Sequence, residues 1–174
     1  LEGVFYHNEL DIASLAHLYC HVAEALDGNS PLARELLRAG DVWAGLGRQD
    51  RAGELWERAS RDPEARTESL LRRARLAKKN KNYKDAAEYF SLAIRDVSSP
   101  GGMCASSVVL PVLEELAKLE EHRFRAPQRA LGYVETALER LKRDRHYGRP
   151  LDVDMFRSMQ RRRDRLERKI ISGG

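Results

Sequence analysis

His17, Cys20 and His21 stand at i, i+3 and i+4, so on a helix they share one face and offer the nitrogen and sulfur donors that zinc takes. Three donors from one helix do not wrap a tetrahedral ion, and no fourth ligand stands near them, so a packing role is expected instead. The densest charge of the chain is Arg157, Arg161, Arg162, Arg163, Arg165, Arg168 and Lys169. Such a run could neutralise phosphates and release their counterions, which makes Arg157, Arg161, Arg162, Arg163 and Arg165 candidate contacts to DNA or RNA. Asp164 and Glu167 interrupt it, and no Phe, Tyr or Trp stands among the arginines to stack on bases. Pairing with acidic side chains on preceding helices is the competing reading. The sequence has no Gly-rich phosphate loop, no Ser-His-Asp arrangement with local support and no paired catalytic carboxylates, so no catalysis is expected of this chain by itself.

The elements that must position these residues are helices. Of 174 residues, 42% are hydrophobic and 33% charged, and Leu outnumbers Val, Ile and Thr together, which disfavours a large sheet. No apolar run approaches the roughly 20 residues that span a bilayer, so no membrane partner is expected. The two cysteines, Cys20 and Cys104, have no CxxC partner, which excludes a zinc ribbon and a disulfide framework and suits a reducing, cytoplasmic setting. The net charge of +4 is uneven: from Arg140 onward twelve Lys/Arg face five Asp/Glu, and the rest of the chain is net negative. The start, Leu1-Glu2-Gly3-Val4, lacks the basic and apolar regions of a signal peptide, and with no initiator Met the chain is expected to be a piece of a longer protein.

Leu10, Leu15, Leu18, Tyr19, Val22 and Leu26 fall at helical spacing and predict a first helix over about 8–26, with Asn8 as N-cap and Asp11 as its capping-box partner. Ser30-Pro31 reads as the cap and first position of a second helix. Sliding the chain by 34 residues aligns Leu36 with Leu70, Gly40 with Ala74, Ala52 with Ala86, Trp56 with Phe90 and Ala59 with Ala93. Small residues suit the contact between two antiparallel helices, and the aromatic fills the gap between one hairpin and the next. A third unit shows in Leu113, Leu116, Ala117, Ala130, Val134 and Ala137, with a longer turn over 122–127 and a flexible-looking linker, 98–107, before it. Residues 144–151 read as a loop, and a last helix over about 152–171 carries Met155, Phe156, Met159, Leu166 and Ile170 as its apolar face.

The spacing Leu36…Gly40…Trp43…Gly47…Ala52…Trp56…Ala59…Pro63 resembles a tetratricopeptide (TPR) repeat, with its final Pro one residue early. The resemblance implies an all-α, right-handed superhelix of hairpins over 30–143, in units of about 33–66, 67–100 and 110–144, closed by a basic capping helix over 152–171. It also implies an inner groove lined by first-helix side chains. These are Arg34, Leu37 and Asp41 in the first unit, Arg75, Lys78 and Lys79 in the second, and Glu114 and Lys118 in the third. The basic middle of that groove would suit a protein segment or acidic peptide, and a phosphate backbone is the alternative. An ordinary solvated face remains the competing reading of each such residue.

The opening run Tyr6-His7-Asn8-Glu9-Leu10-Asp11-Ile12-Ala13-Ser14-Leu15 is similar to the final motif of the ribonuclease-H-like DEDD exonucleases, and most of all to bacterial YprB-like proteins, in which such a domain precedes TPR-like helices. The resemblance implies that 1–27 is the terminal helix of a truncated nuclease domain. Asp11 would be one ligand of a two-metal Mg or Mn site in the parent protein, and His7 the residue that orients the attacking water. His-type members place the His five residues before the Asp, where this chain has Tyr6, and the other carboxylates would lie upstream of Leu1. A single Asp does not hold two hard cations, so no cofactor is expected for this chain alone. A plain helix cap at Asn8 and Asp11 is the alternative.

Overall fold

The computed structural model describes residues 2–97 and 106–172, with side chains from His7 onward. Among the described residues are eight helices and no strand: α1 (Glu2–Leu26), α2 (Ala33–Gly45), α3 (Gln49–Ala59), α4 (Pro63–Lys79), α5 (Tyr83–Val97), α6 (Ser106–His122), α7 (Pro127–His146) and α8 (Val153–Ser172). Helices adjacent in sequence pack on one another, α1 on α2, α2 on α3, α5 on α6, α6 on α7 and α7 on α8, as in a series of hairpins. The chain forms two compact units, residues 1–73 and 74–174.

In the first unit the contact between α2 and α3 is set by a missing side chain. A Cβ on Gly40 would stand 2.4 Å from the Trp56 indole nitrogen, so only glycine lets the ring lie flat against α2. There the indole N–H donates to the Leu37 carbonyl at 3.2 Å. Ala52, Leu55 and Ala59 are fully buried on the facing side of α3. Where α1 ends, Gly28 takes φ +78°, the Trp43 indole donates to the Leu26 carbonyl at 2.9 Å and Arg51 donates to the Asp27 carbonyl at 2.6 Å. α4 starts where the Asp62 carboxylate accepts from the Glu64 amide at 2.8 Å with Pro63 between them, an arrangement that satisfies an early helix N–H.

In the second unit Ala74, Ala86, Phe90 and Ala93 are buried at the positions 34 residues beyond Gly40, Ala52, Trp56 and Ala59. The core continues through Leu113, Ala117, Val134 and Leu138 to Met159 and Leu166 of α8, both completely buried. Asp152 caps α8 by accepting from the Met155 amide at 2.9 Å.

Several local expectations are corrected. Asn8 is no N-cap, because the backbone is helical from Glu2 and amides near Asn8 already have partners one turn back. The N-cap of α2 is Leu32, not Ser30, and Pro31 lies before the helix. Ser30 still serves its first turn, accepting from the Leu32 amide at 3.0 Å and donating to Glu35. Residues 144–146 belong to α7, which ends at Tyr147 and Gly148, the latter at φ +74°, with the Arg149 amide returning to the Asp144 carbonyl. Of the expected linker, 98–105 lies outside the described residues, as does Cys104, while Ser106 and Ser107 open α6.

Candidate interaction surfaces

Two surfaces stand out, one on each terminal helix. On α1, Ile12, Leu15, Tyr19, Val22 and Leu26 follow one another at alternating spacings of three and four, the period that keeps an apolar seam straight along a helix. Leu26 packs near α2. Ile12, Leu15, Leu18 and Tyr19 are 58–76% exposed, and among the described residues nothing covers them. The seam runs into an apolar groove of about 270 Å3 between α1 and α2, lined by Val22, Ala25, Leu26, Ala39 and Val42. His21 and Glu35 close its polar rim at 2.8 Å. Hydrogen bonds from Ser30 and His21 hold the Glu35 carboxyl below the usual carboxylate range.

His7 and Asp11, one turn apart and both exposed, lie beside this seam. His17, Cys20 and His21 are exposed as well, so the expected packing role is not what this helix gives them. Among the described residues no group of three or more His, Cys, Asp or Glu could hold a metal ion. Asp11 alone therefore does not fit a two-metal centre, and no step of phosphodiester cleavage is assigned to this chain.

The residues assigned to a groove are largely engaged within the molecule. Arg34 lies 3.7 Å from Glu64, and Asp41 accepts a fork from Arg72 at 2.7 and 3.0 Å, which raises the Arg72 pKa. Leu37 is buried, not inward-facing, because its turn of α2 carries the Trp56 ring. Lys78 pairs with Glu115, and Lys118 bridges Glu114 at 3.0 Å and Glu115 at 3.2 Å. Burial pushes the Glu115 carboxyl up, but Lys78 and Lys118 outweigh it and leave the group lowered. Burial likewise lowers Lys118, and Glu114 and Glu115 outweigh that and raise it. Arg75 and Lys79, one turn apart on α4, are exposed and have no ion-pair partner among the described residues.

The arginines of α8 divide by face. Glu121 of α6, with its side chain 1% exposed, receives Arg165 at 2.7 and 2.9 Å, Arg162 at 2.8 Å and Lys169 at 2.7 Å. Burial pushes the Glu121 carboxyl up, and the hydrogen bonds of Arg165 and Lys169 outweigh it, leaving it at about 2. Arg163 is turned elsewhere and pairs with Asp164 at 3.1 Å and Glu167 at 3.6 Å. Arg157 and Arg161 are exposed without a carboxylate partner among the described residues. With Ser158, Arg162, Arg165 and Asp154 they line an open cleft of about 410 Å3.

Sequence reading found the α8 cations and allowed for their pairing with preceding helices, but it did not find Glu121. Its partners lie 41 to 48 residues away, and no local spacing announces them. The exposure of the α1 seam was also missed, since periodicity marks an apolar face without saying what lies against it. Among the described residues no helix is long and apolar enough to cross a membrane. No family model, curated protein or solved structure matches the chain.

Proposed function

We propose that this chain is a TPR-like interaction module, with a right-handed course of hairpins, carried at the C-terminal side of a ribonuclease-H-like exonuclease domain. The observation that carries the reading is the exposed seam of α1. Soluble chains rarely leave a contiguous apolar stripe uncovered unless protein packs there. The occupant proposed is the body of the nuclease-like domain, because the motif over residues 6–15 that resembles the last helix of such domains lies on the same helix. Asp11 and His7, beside the seam, would then contribute to a Mg or Mn site completed by carboxylates from that domain. This chain would bind and position, and the parent would cut.

The groove is proposed to take a protein segment of acidic character. Arg75 and Lys79 supply the available cations, and the network of Lys78, Lys118, Glu114 and Glu115 is a rigid support rather than a set of free ligands. In this setting the chain works inside the cell.

The reading is tested on the coding sequence that precedes Leu1 and on its product. A strand-rich segment carrying Asp-x-Glu and a further Asp, whose product degrades 3′ ends with Mn2+ and loses that activity with Asp11→Asn, is the expected result. An initiator Met directly before Leu1, or full activity in Asp11→Asn, would overturn it.

A further inference from the structure

The stripe on α8 has a use that the groove does not supply. At 100° per residue, Arg157, Arg161, Arg165, Arg168, Lys169 and Arg162 occupy one continuous side of the helix, beside the face that buries Met159 and Leu166. Arg163, Asp164 and Glu167 fall outside that stripe and satisfy one another. Six cations thus face Asp154 and the buried Glu121 as the acids of the same surface. Three of the six are spoken for: Glu121 clamps Arg162, Arg165 and Lys169 from beneath. Yet one carboxylate does not neutralise three cations, so the clamp fixes the stripe in place and leaves it positive.

Two features point to a linear polyanion. The outer members, Arg157, Arg161 and Arg168, have no carboxylate partner among the described residues, and Arg168 spends only its Nε, on the Asp164 carbonyl at 3.1 Å. Eleven steps of rise separate Arg157 from Arg168, about 16 Å of helix, which is a row and not a pocket for a single ion. Arg162 and Ser158 line the cleft beside Arg157 and Arg161.

From this arrangement we infer that α8 binds the phosphodiester backbone of a nucleic acid, with Arg157 and Arg161 as the principal contacts, Arg168 extending the row, and Glu121 positioning Arg162 and Arg165 between them. The stripe holds no aromatic side chain, so it grips phosphates without reading bases, and affinity is independent of sequence. An acidic peptide is the less favoured ligand, since guanidinium forks set in a straight row suit evenly spaced phosphates better than irregular carboxylates. The inference stands on α6 and α8 alone and does not require α1 to belong to a nuclease domain.

The test is fluorescence anisotropy of the 174-residue chain with a labelled 20-base single strand, the corresponding duplex and a polyglutamate peptide, from low to physiological salt. The expected result is binding of either nucleic acid at micromolar concentration or tighter, with log K falling against log salt at a slope of about −2 to −3, reflecting up to three phosphate contacts. Whichever of duplex and single strand binds more tightly identifies the form of the backbone. The double variant Arg157→Gln/Arg161→Gln is expected to weaken binding at least tenfold and to flatten the slope by about 2, at unchanged melting temperature. Arg163→Gln, on the other side of α8, is expected to leave binding within twofold. Absence of binding at low salt, equal affinity for polyglutamate, or binding untouched by the double variant would each overturn the inference.

Discussion

α1 and α8 are both long terminal helices, each packed on the helix beside it in sequence, yet they are finished differently. α8 buries Met159 and Leu166 completely, is capped by Asp152 and is clamped by Glu121 from α6. Among the described residues the contacts of α1 to α2 and α3 gather toward its C-terminal end, around His21, Leu26 and Gly28, and Ile12, Leu15, Leu18 and Tyr19 lie open. The apolar face of α8 is satisfied within the chain, and what it offers outward is charge. The apolar face of α1 is itself what it offers outward. The contrast teaches that amphipathicity in a terminal helix does not reveal whether its partner lies inside the chain; burial and long-range ion pairs do.

The largest effect expected from breaking this contrast is in the core of α8. Met159→Ala should cost about 2–5 kcal/mol in urea unfolding, because a fully buried side chain is removed and the cavity does not close. Leu15→Ala, a comparable truncation on α1, should shift stability by no more than about 0.5 kcal/mol, since the side chain is 64% exposed. Equal costs for the two would erase the distinction between the helices.

Next in size, Gly40→Ala should cost about 1–3 kcal/mol, because the added methyl displaces the Trp56 ring. Its signature is a red-shifted tryptophan emission as the indole loses the Leu37 carbonyl. An unchanged spectrum would contradict the close approach of α2 and α3.

Of similar size, Glu121→Gln should cost about 1–3 kcal/mol at neutral pH by leaving the cations around it without a charge partner. The acid dependence is the sharper readout. The Glu121 carboxyl sits at about 2 in the folded chain, below its ordinary value of 4.5, so its contribution is fully present above about pH 4.5. It is lost as pH falls toward 2. Stability measured across that window should fall less steeply in Glu121→Gln than in the parent. Identical slopes would mean that the clamp is not formed.

Much of the helical framework was legible because its signals are local. The repeated small and aromatic residues, Gly40 and Ala74, Trp56 and Phe90, mark positions that are buried in both units, and Met159 and Leu166 marked the inner face of α8. Asn8 misled because it is a good cap by type, while the six preceding positions raise no barrier to a helix and the backbone simply continues through it. Gly148 and Pro150 suggest a loop from residue 144, yet only the residues from Tyr147 on break the helix. The candidate surfaces were less legible. Charge type is written in the sequence, but which arginine meets a carboxylate depends on packing between α6 and α8, and so does the difference between Arg161 and Arg163.

The most direct test of the account is amide hydrogen exchange on this chain as a monomer, followed helix by helix and confirmed by sedimentation. The account predicts that amides over residues 7–20 of α1, with no packing against their seam, exchange at least a hundredfold faster than those of residues 156–168 in α8. Equal protection of the two helices in the monomer would contradict it, since the seam of α1 would then be covered from within the chain.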